Sequence, residues 1–360
     1  MVDLLHVGLV GGGGISDTHA RAAAGLPGVE IAAVQGPNRH KVEAICGRHG
    51  GRAYTDFEAF LTHRPLDIVV IGSPSGLHAV QGMAAARAGL HVLVEKPMDI
   101  TIGRADALAA AAQKAGVALG VFFQDRFKPG TCGLKQLIEE GTIGKPILAD
   151  ARVPWYRPPA YYATSRWRGT WALDGGGALM NQGIHTLDLL LWLLGDVVRV
   201  HAQTATLLHN IEVEDSGAAI LEFASGALGV MSFTTAAFPG YLRRVSVTGD
   251  RGTAVVEQDL LISVDVVGGG SLDTTHDARN GDSNGSYPNA EAAHPGQPES
   301  AASPVVSDVG PHRAVIEDFV QAIREGRPPR CDGREGRRSV AVVEAIYASS
   351  RSARAVTVAS

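Results

Sequence analysis

An apolar run, a glycine cluster and a helical segment follow one another at the start of the chain, and this order restricts the fold more than any other feature. Residues 6–10 are predicted to form a buried strand, Gly11 to Gly14 follow directly, and helical apolar spacing continues to Leu26. Glycines at such a turn let the backbone approach a phosphate held at the helix N-terminus. The order predicts a dinucleotide-binding loop, although four glycines are also compatible with a simple flexible turn.

The alternation of strands and helices continues to residue 123. Thr101 has the side chain of a helix N-cap, for a helix that ends near residue 115. The further predicted strands lie at residues 31–34, 67–71, 89–94 and 117–122. Strands separated by helices predict a doubly wound parallel sheet, a Rossmann α/β domain over residues 1–123.

After residue 123 most apolar runs alternate with period two, which is typical of strands with one buried face. These runs lie at residues 202–208, 217–223, 227–234, 243–247 and 261–267. They predict a second, α+β domain over residues 124–360 with a large, mainly antiparallel sheet. Residues 268–310 are rich in Gly, Ser, Asn and Asp and are predicted to be a polar insertion. Helical spacing is found at residues 129–141, 315–323 and 339–348.

The strand at residues 89–94 ends in Glu95, Lys96 and Pro97. Ligands of open α/β sheets bind beyond the carboxyl ends of the strands, so Lys96 is a candidate catalytic residue. The alternative is that the two charged residues begin a solvated loop. An X-Pro bond can be cis, which would aim the lysine, and a trans bond would refute that idea.

Residues 174–195 contain a glycine run and then a strongly apolar helix that ends at Gly195. At 3.6 residues per turn, one face of this helix carries a polar stripe of Asn181, His185, Asp188 and Trp192. Buried polar groups need partners, so the stripe faces a ligand, or else His185 is an ordinary core histidine bonded to a neighbour.

Aromatic and arginine side chains are concentrated just before this helix. The cluster comprises Trp155, Tyr156, Tyr161, Tyr162, Arg166, Trp167, Arg168 and Trp171. Aromatic faces suit a polyhydroxylated ring, and arginine suits a carboxylate or phosphate on it. The alternative is that these side chains form an interface between domains.

Charge and cysteine content narrow the class of protein. A net charge of -5 over 360 residues offers no basic surplus for nucleic acid. No apolar stretch approaches the length of a membrane span. The three cysteines are widely spaced and suggest neither a disulfide framework nor a metal-ligand set. We expect a cytoplasmic protein with no metal, no nucleic-acid partner and no membrane association.

Three motifs in order resemble the Gfo/Idh/MocA family of glucose-fructose oxidoreductases and inositol dehydrogenases. The motifs are Val7-Gly8-Leu9-Val10-Gly11-Gly12-Gly13-Gly14-Ile15-Ser16, Ala88-Gly89-Leu90-His91-Val92-Leu93-Val94-Glu95-Lys96-Pro97, and Gly175-Gly176-Gly177 leading to Ile184-His185-Thr186-Leu187-Asp188. The resemblance implies bound NAD or NADP and hydride transfer at a secondary alcohol of a sugar or cyclitol. It implies that Lys96 works with His185.

The resemblance also implies which residues contact the cofactor and which contact the substrate. Family members often carry Asp where this chain has Asn181, which cannot be a carboxylate base but can orient substrate. The expected cofactor contacts are Gly11, Gly13, Gly14, Ile15, Gly36, Asn38, Arg39, Ser73, Pro74, His78, Glu95 and Lys96. The expected substrate contacts are Arg126, Trp167, Arg168, Asn181 and His185. Arg39, with His40 and Lys41, suits the extra phosphate of NADP or is simply a solvated helix start, so NAD and NADP both stay open.

The segment from Tyr161 to Gln182 is further similar to a subgroup with UDP-N-acetylglucosamine-uronate 3-dehydrogenases and other pyranoside dehydrogenases. Two alternatives are a reductase of the same fold that acts on a diol or imine, and a cofactor-bound sensor without turnover. A homodimer or homotetramer through the second sheet is expected, because bare sheet faces need cover.

Overall fold

The computed structural model describes residues 4–269, 272–273 and 308–359. Most of the predicted polar insertion therefore lies outside the described residues. Within them, the first sheet is parallel and has six strands in the order β3-β2-β1-β4-β5-β6. The strands are β1 Leu5–Val10, β2 Val29–Gln35, β3 Arg52–Tyr54, β4 Ile68–Ile71, β5 His91–Val94 and β6 Leu119–Val121.

Helices connect these strands and cover the sheet. They are α1 Gly14–Ala23, α2 Arg39–His49, α3 Phe57–Leu61, α4 His78–Arg87 and α5 Ile102–Ala115. Thr101 caps α5 by accepting from the Arg104 N–H, as predicted, and Gly116 ends the helix in a left-handed conformation. The order of strands reverses between β1 and β4, which is where dinucleotides bind in this fold. The Rossmann prediction is confirmed.

The second sheet is mainly antiparallel, as predicted, and has nine strands in the described residues. Its strands are β7 Pro146–Pro154, β8 Val197–Ala205, β9 Ser216–Phe223, β10 Leu228–Thr234, β11 Arg244–Gly249, β12 Gly252–Glu257, β13 Leu260–Val266, β14 Leu272–Asp273 and β15 Val356–Thr357. Only β7 and β10 pair in parallel among the pairings described. The remaining helices are α6 Pro129–Glu139, α7 Pro159–Ala163, a π-helical turn Ala178–Gly183, α8 Ile184–Leu194, α9 Gly310–Glu325 and α10 Gly333–Ser352.

The last two long helices connect the two sheets. Helix α9 packs on α1, and its Val315, Ile316 and Phe319 share a core with Leu9 of the first sheet. Helix α10 contacts α5 and β6 as well as β8 and α8. Residues assigned by sequence to the second domain thus complete the core of the first, and the division at residue 123 stays a prediction. No helix in the described ranges is both long and apolar enough to cross a membrane.

Candidate active site

The loop after β1 is built for close approach of a ligand. Gly11 has φ +116, and a Cβ there would lie 2.7 Å from the Gly72 carbonyl oxygen. By contrast, Cβ atoms at Gly13 and Gly14 would meet nothing within 4 Å, and no side chain caps α1. Ile15 is half-buried in the first turn. The loop therefore presents backbone N–H groups at a helix N-terminus, and these residues fit the phosphates of a dinucleotide.

The residues after β2 lie against the glycine loop, and they do not distinguish NAD from NADP. A Cβ on Gly36 would lie 3.0 Å from Gly12 N, so the two loops meet closely. The Asn38 side chain caps α2 by accepting from the Lys41 N–H. Arg39 is exposed and lies 3.3 Å from Glu43. The cap gives Asn38 a structural role that the sequence did not predict.

Ser73 and Pro74 follow β4 at the same edge of the sheet, and Ser73 Oγ donates to Gln81. The two ring nitrogens of His78 lie 2.8 Å from Pro97 O and 2.9 Å from Ser73 O. Since this buried ring is engaged by backbone on both sides, His78 ties the two loops together. The cofactor contact expected of His78 stays a prediction.

Lys96 reaches from the first sheet to the π-helical turn before α8. Its Nζ donates to Asn181 O at 2.7 Å and lies 3.4 Å from Asn181 Oδ1. The Lys96–Pro97 peptide bond is cis. Burial lowers the pKa of Lys96, while the nearby Glu95, Asp174 and Asp125 carboxylates raise it in part. A partly buried lysine at the strand end, bonded to the predicted helix, is the arrangement that the motifs indicated.

Glu95 is buried behind Lys96 and does not project toward open space. Its Oε1 lies 2.9 Å from His19 Nε2, and its Oε2 accepts from the Lys96 N–H. His312 of α9 lies 4.0 Å away. Although burial raises the pKa of Glu95, the hydrogen bond and charge of His19 outweigh it and bring the value to about 2. Glu95 is thus a support for Lys96, and the sequence missed its partner His19 one turn into α1.

His185 lies in the first turn of α8, partly buried and near Lys96. Its Nδ1 has no hydrogen-bond partner among the described residues and lies 3.9 Å from Asp125, too far for a hydrogen bond. Burial first, and then the Lys96 charge, lower the pKa of His185 to about 3. The ring is therefore neutral at pH 7 and able to accept a proton.

Asp125 supplies a carboxylate that the sequence prediction missed. It forms ion pairs with Arg243 and with Lys128, the latter at 2.9 Å. Burial raises its pKa, but Arg243, Lys128 and His185 outweigh that and hold it well below the usual range. The signal for Asp125 in the sequence was its position just beyond β6. Polar residues that follow parallel strands converge at the carboxyl edge of the sheet. This fixed negative charge favours the protonated form of His185.

Asp174 is the second carboxylate that the prediction missed. It accepts from Asn181 Nδ2 at 2.7 Å and from the Gly169 N–H at 2.9 Å. Burial raises the pKa of Asp174 to about 6. Position 181 carries an amide where family members often carry Asp. This difference was the signal in the sequence that the carboxylate comes from another position.

Arg126 does not have the role that the sequence predicted. Its Nε and Nη2 donate to both oxygens of Asp188, at 2.7 Å and 2.6 Å, and Nη2 also donates to Glu335. The side chain is 1% exposed. Burial lowers the pKa of Arg126, but the Asp188 carboxylate outweighs it and raises the pKa. A guanidinium so enclosed and paired is part of the core, and the expectation of substrate binding by Arg126 does not fit the structure.

The aromatic and arginine cluster forms one wall beside Asn181. The Arg168 guanidinium stacks 4.3 Å from the Tyr161 ring, and Trp167 lies beside it at 5.4 Å. Tyr161 OH accepts from Gln182, the residue after Asn181. Arg168 is only partly buried, so its donor fork is partly accessible beside these two rings. No group of three metal-binding side chains is found in the described ranges.

Comparisons with known proteins agree with this construction. A family model described as an oxidoreductase family with an NAD-binding Rossmann fold matches residues 5–123. A model described as the GFO/IDH/MocA C-terminal domain matches residues 133–255.

Individual relatives match over most of the chain. The crystal structure of the WlbA dehydrogenase from Bordetella pertussis, in complex with NADH and UDP-GlcNAcA, is 32% identical, covers 100% of this chain and 99% of its own, and has a TM-score of 0.84. Inositol 2-dehydrogenase of Rhizobium meliloti is 29% identical over 73% of this chain and 78% of its own. D-apiose dehydrogenase of Paraburkholderia graminis is 28% identical over 97% of this chain and 88% of its own.

Proposed function

This chain belongs to the Gfo/Idh/MocA family of oxidoreductases, and from that premise we propose that it oxidises a secondary alcohol of a pyranoside at a site formed by Lys96, Asn181 and His185. It is an NAD(P)-dependent enzyme of the dehydrogenase type. The observation that carries the residue assignment is the bond from Lys96 Nζ to Asn181 O, which brings the end of β5 to the helix that holds His185.

His185 and Lys96 have different roles in the proposed proton transfer. When bound, NAD(P)⁺ would supply the hydride acceptor for the carbon that bears the reacting hydroxyl. His185, neutral at pH 7, takes the hydroxyl proton, and Asp125 stabilises the imidazolium that forms. Lys96 donates a hydrogen bond to the same oxygen and stabilises its developing negative charge. In the reverse direction the protonated His185 returns the proton to the ketone oxygen, and Lys96 again donates a hydrogen bond to it.

The wall of Arg168, Tyr161 and Trp167 favours a pyranoside that carries an anionic group. Ring faces stack on the apolar face of a sugar, and the Arg168 fork matches a carboxylate or phosphate. The WlbA structure contains a UDP-linked sugar acid, UDP-GlcNAcA. We therefore rank UDP-N-acetylglucosaminuronate first among substrates to test, before neutral sugars and cyclitols.

Nicotinamide absorbance measures this function directly. The purified full chain is mixed with NAD⁺ or NADP⁺ and with UDP-GlcNAcA, UDP-GlcNAc, which lacks the carboxylate, or myo-inositol. We expect reduction with the first substrate and a weaker response without the carboxylate. Tightly bound cofactor that no sugar, diol or imine turns over would contradict the proposal and favour a sensor.

A second copy of the chain fits the exposed face of the second sheet. Leu148 pairs with Leu228, and Val230 pairs with Ile220, and all four are exposed. Charges of both signs, such as Arg199 with Glu222, border them, as a two-fold interface requires. We propose a homodimer or homotetramer through this face in the cytoplasm, and a monomer in light scattering at micromolar concentration would contradict it.

A further inference from the structure

The Asp174 carboxylate accepts hydrogen bonds on both of its oxygens. Oδ1 accepts a hydrogen bond from Asn181 Nδ2 at 2.7 Å, and Oδ2 accepts one from the Gly169 N–H at 2.9 Å. The Asp174 side chain is 2% exposed. Its 2.7 Å hydrogen bond involves a charged acceptor and is therefore strong. The donor of that bond, Asn181, is also the residue that Lys96 contacts. An ionised carboxylate can only accept, so it determines which end of the Asn181 amide faces it.

The orientation of that amide decides what Lys96 meets. With Nδ2 turned to Asp174, the Oδ1 atom faces the Lys96 ammonium at 3.4 Å. The opposite orientation would place an NH₂ group against the ammonium, where neither group can accept. Resting on the function proposed above for Lys96, we propose that Asp174 is a positioning residue that holds the Asn181 oxygen toward Lys96 and supports its charged form.

The charge of Asp174 acts in the same direction as this orientation. The groups that act electrostatically on Lys96 are Glu95, Asp125, Asp174 and Arg157, and His185 lies close by. Of the three carboxylates, Glu95 and Asp125 are each engaged by cationic or histidine side chains. Asp174 instead is linked to Lys96 through a single amide, so its loss changes both the charge and the hydrogen bonding around the lysine.

Exchanging the two side chains separates this role from a purely structural one. In Asp174→Asn, the new amide can accept from Gly169 only by turning its NH₂ to Asn181, so the Asn181 amide must rotate and present its own NH₂ to Lys96. In Asn181→Asp, two carboxylates face each other in place of the 2.7 Å hydrogen bond, and they repel each other. In the double variant Asp174→Asn/Asn181→Asp, the amide again bonds Gly169 and the carboxylate, and the carboxylate faces Lys96. All hydrogen bonds are then satisfied with the polarity exchanged.

Competitive acetylation with acetic anhydride tests the proposal without any substrate. The full chain is labelled at pH 7, and mass spectrometry of the Lys96 peptide gives its rate, since only the neutral amine reacts. We expect Asp174→Asn to speed the labelling of Lys96 about three- to tenfold and the double variant to return it to the wild-type rate or below. Asp215→Asn is the matched control, because Asp215 also accepts from backbone N–H groups but is not among the groups that act on Lys96.

Thermal unfolding accompanies each labelling experiment. If Asp174 only holds the turn at Gly169, Asp174→Asn lowers the melting temperature and leaves Lys96 labelling unchanged, which overturns the proposal. Faster labelling in Asp174→Asn that the double variant fails to reverse also overturns it. Because the readout is the state of Lys96 itself, normal activity of a Lys96→Met variant would contradict the proposed function separately.

Discussion

His185 and Asp188 lie about one turn apart on α8, and the His185 Nδ1 atom and the Asp188 carboxylate are both buried, yet their surroundings differ completely. Asp188 receives two hydrogen bonds from Arg126 and a weaker one from Ser339. His185 Nδ1 has no partner in the described part of the chain, and the nearest charges are Lys96 and Asp125.

This difference distinguishes buried polar groups that stabilise the fold from buried polar groups that take part in chemistry. A buried group with every bond made contributes to a unique core, and its removal leaves a partner unsatisfied. A buried group without a partner costs stability and persists where a ligand completes it. We therefore propose that the Lys96–His185 region is the reaction site and that the Arg126–Asp188 cluster is its scaffold.

Lys96→Met gives the largest expected loss of activity. We expect hydride transfer to fall about 100- to 1,000-fold, since the donor that stabilises the developing negative charge is removed, while the melting temperature changes little. Lys135→Met is the matched control, because Lys135 also donates to a backbone carbonyl, that of Trp192. Equal losses in the two variants would break the distinction between the regions. Stopped-flow single turnover with the substrate found in the absorbance screen provides the rates.

Arg126→Met tests the scaffold. We expect a loss of about 3–5 kcal/mol in the free energy of unfolding, because Asp188 is left buried without its cation, whereas Glu335 keeps Arg338. The rate per folded molecule should stay within a few-fold of wild type. Urea unfolding and kinetics are measured on the same sample. A large rise in KM at unchanged stability would restore the sequence-based prediction that Arg126 binds substrate.

His185→Gln should make the protein more resistant to acid. The pKa of His185 is depressed to about 3 in the folded chain, below the unfolded value near 6.5. The unfolded chain therefore takes up this proton first, and stability is lost as pH falls from about 6.5 to 3. Between pH 7 and pH 4 the variant should lose about 2–4 kcal/mol less than wild type. His209→Gln is the control, since its ring lies 3.2 Å from Thr235 O, and an identical pH dependence of wild type and His185→Gln would contradict the expectation.

Asn38→Ala gives the smallest expected effect. Loss of the α2 cap should cost about 1 kcal/mol, and Asn38→Ser, which keeps a capping oxygen, should cost less. Cofactor affinity, measured by fluorescence titration with NADH and NADPH, should follow stability alone. A similar loss of affinity in both variants would instead support the predicted cofactor contact.

Local signals in the sequence predicted most of the fold. The Thr101 cap, the glycine turn after β1 and the strand before Lys96 each depend on neighbours within a few residues. Strand β12 was missed because the Gly249–Asp250–Arg251–Gly252 stretch next to it has turn composition. Helix α9 was predicted, but its packing on α1 depends on contacts about 290 residues apart.

The site was predicted only where a motif was continuous. Lys96, Asn181 and His185 were named, whereas the partners that define their chemistry come from distant segments. Arg126 was assigned to substrate because its bonds to Asp188 and Glu335 span 62 and 209 residues. Asp174 was passed over because a carboxylate near a glycine run is not informative until its bond to Asn181 is seen.

Single-turnover hydride transfer in His185→Gln and Asp188→Asn, measured side by side and normalised to folded protein, tests the central claim most directly. We expect a loss of about 100-fold or more for His185→Gln with little change in melting temperature. For Asp188→Asn we expect a lower melting temperature but a near-normal rate. A near-normal rate in His185→Gln would contradict the assignment of chemistry to the unpaired side of the helix.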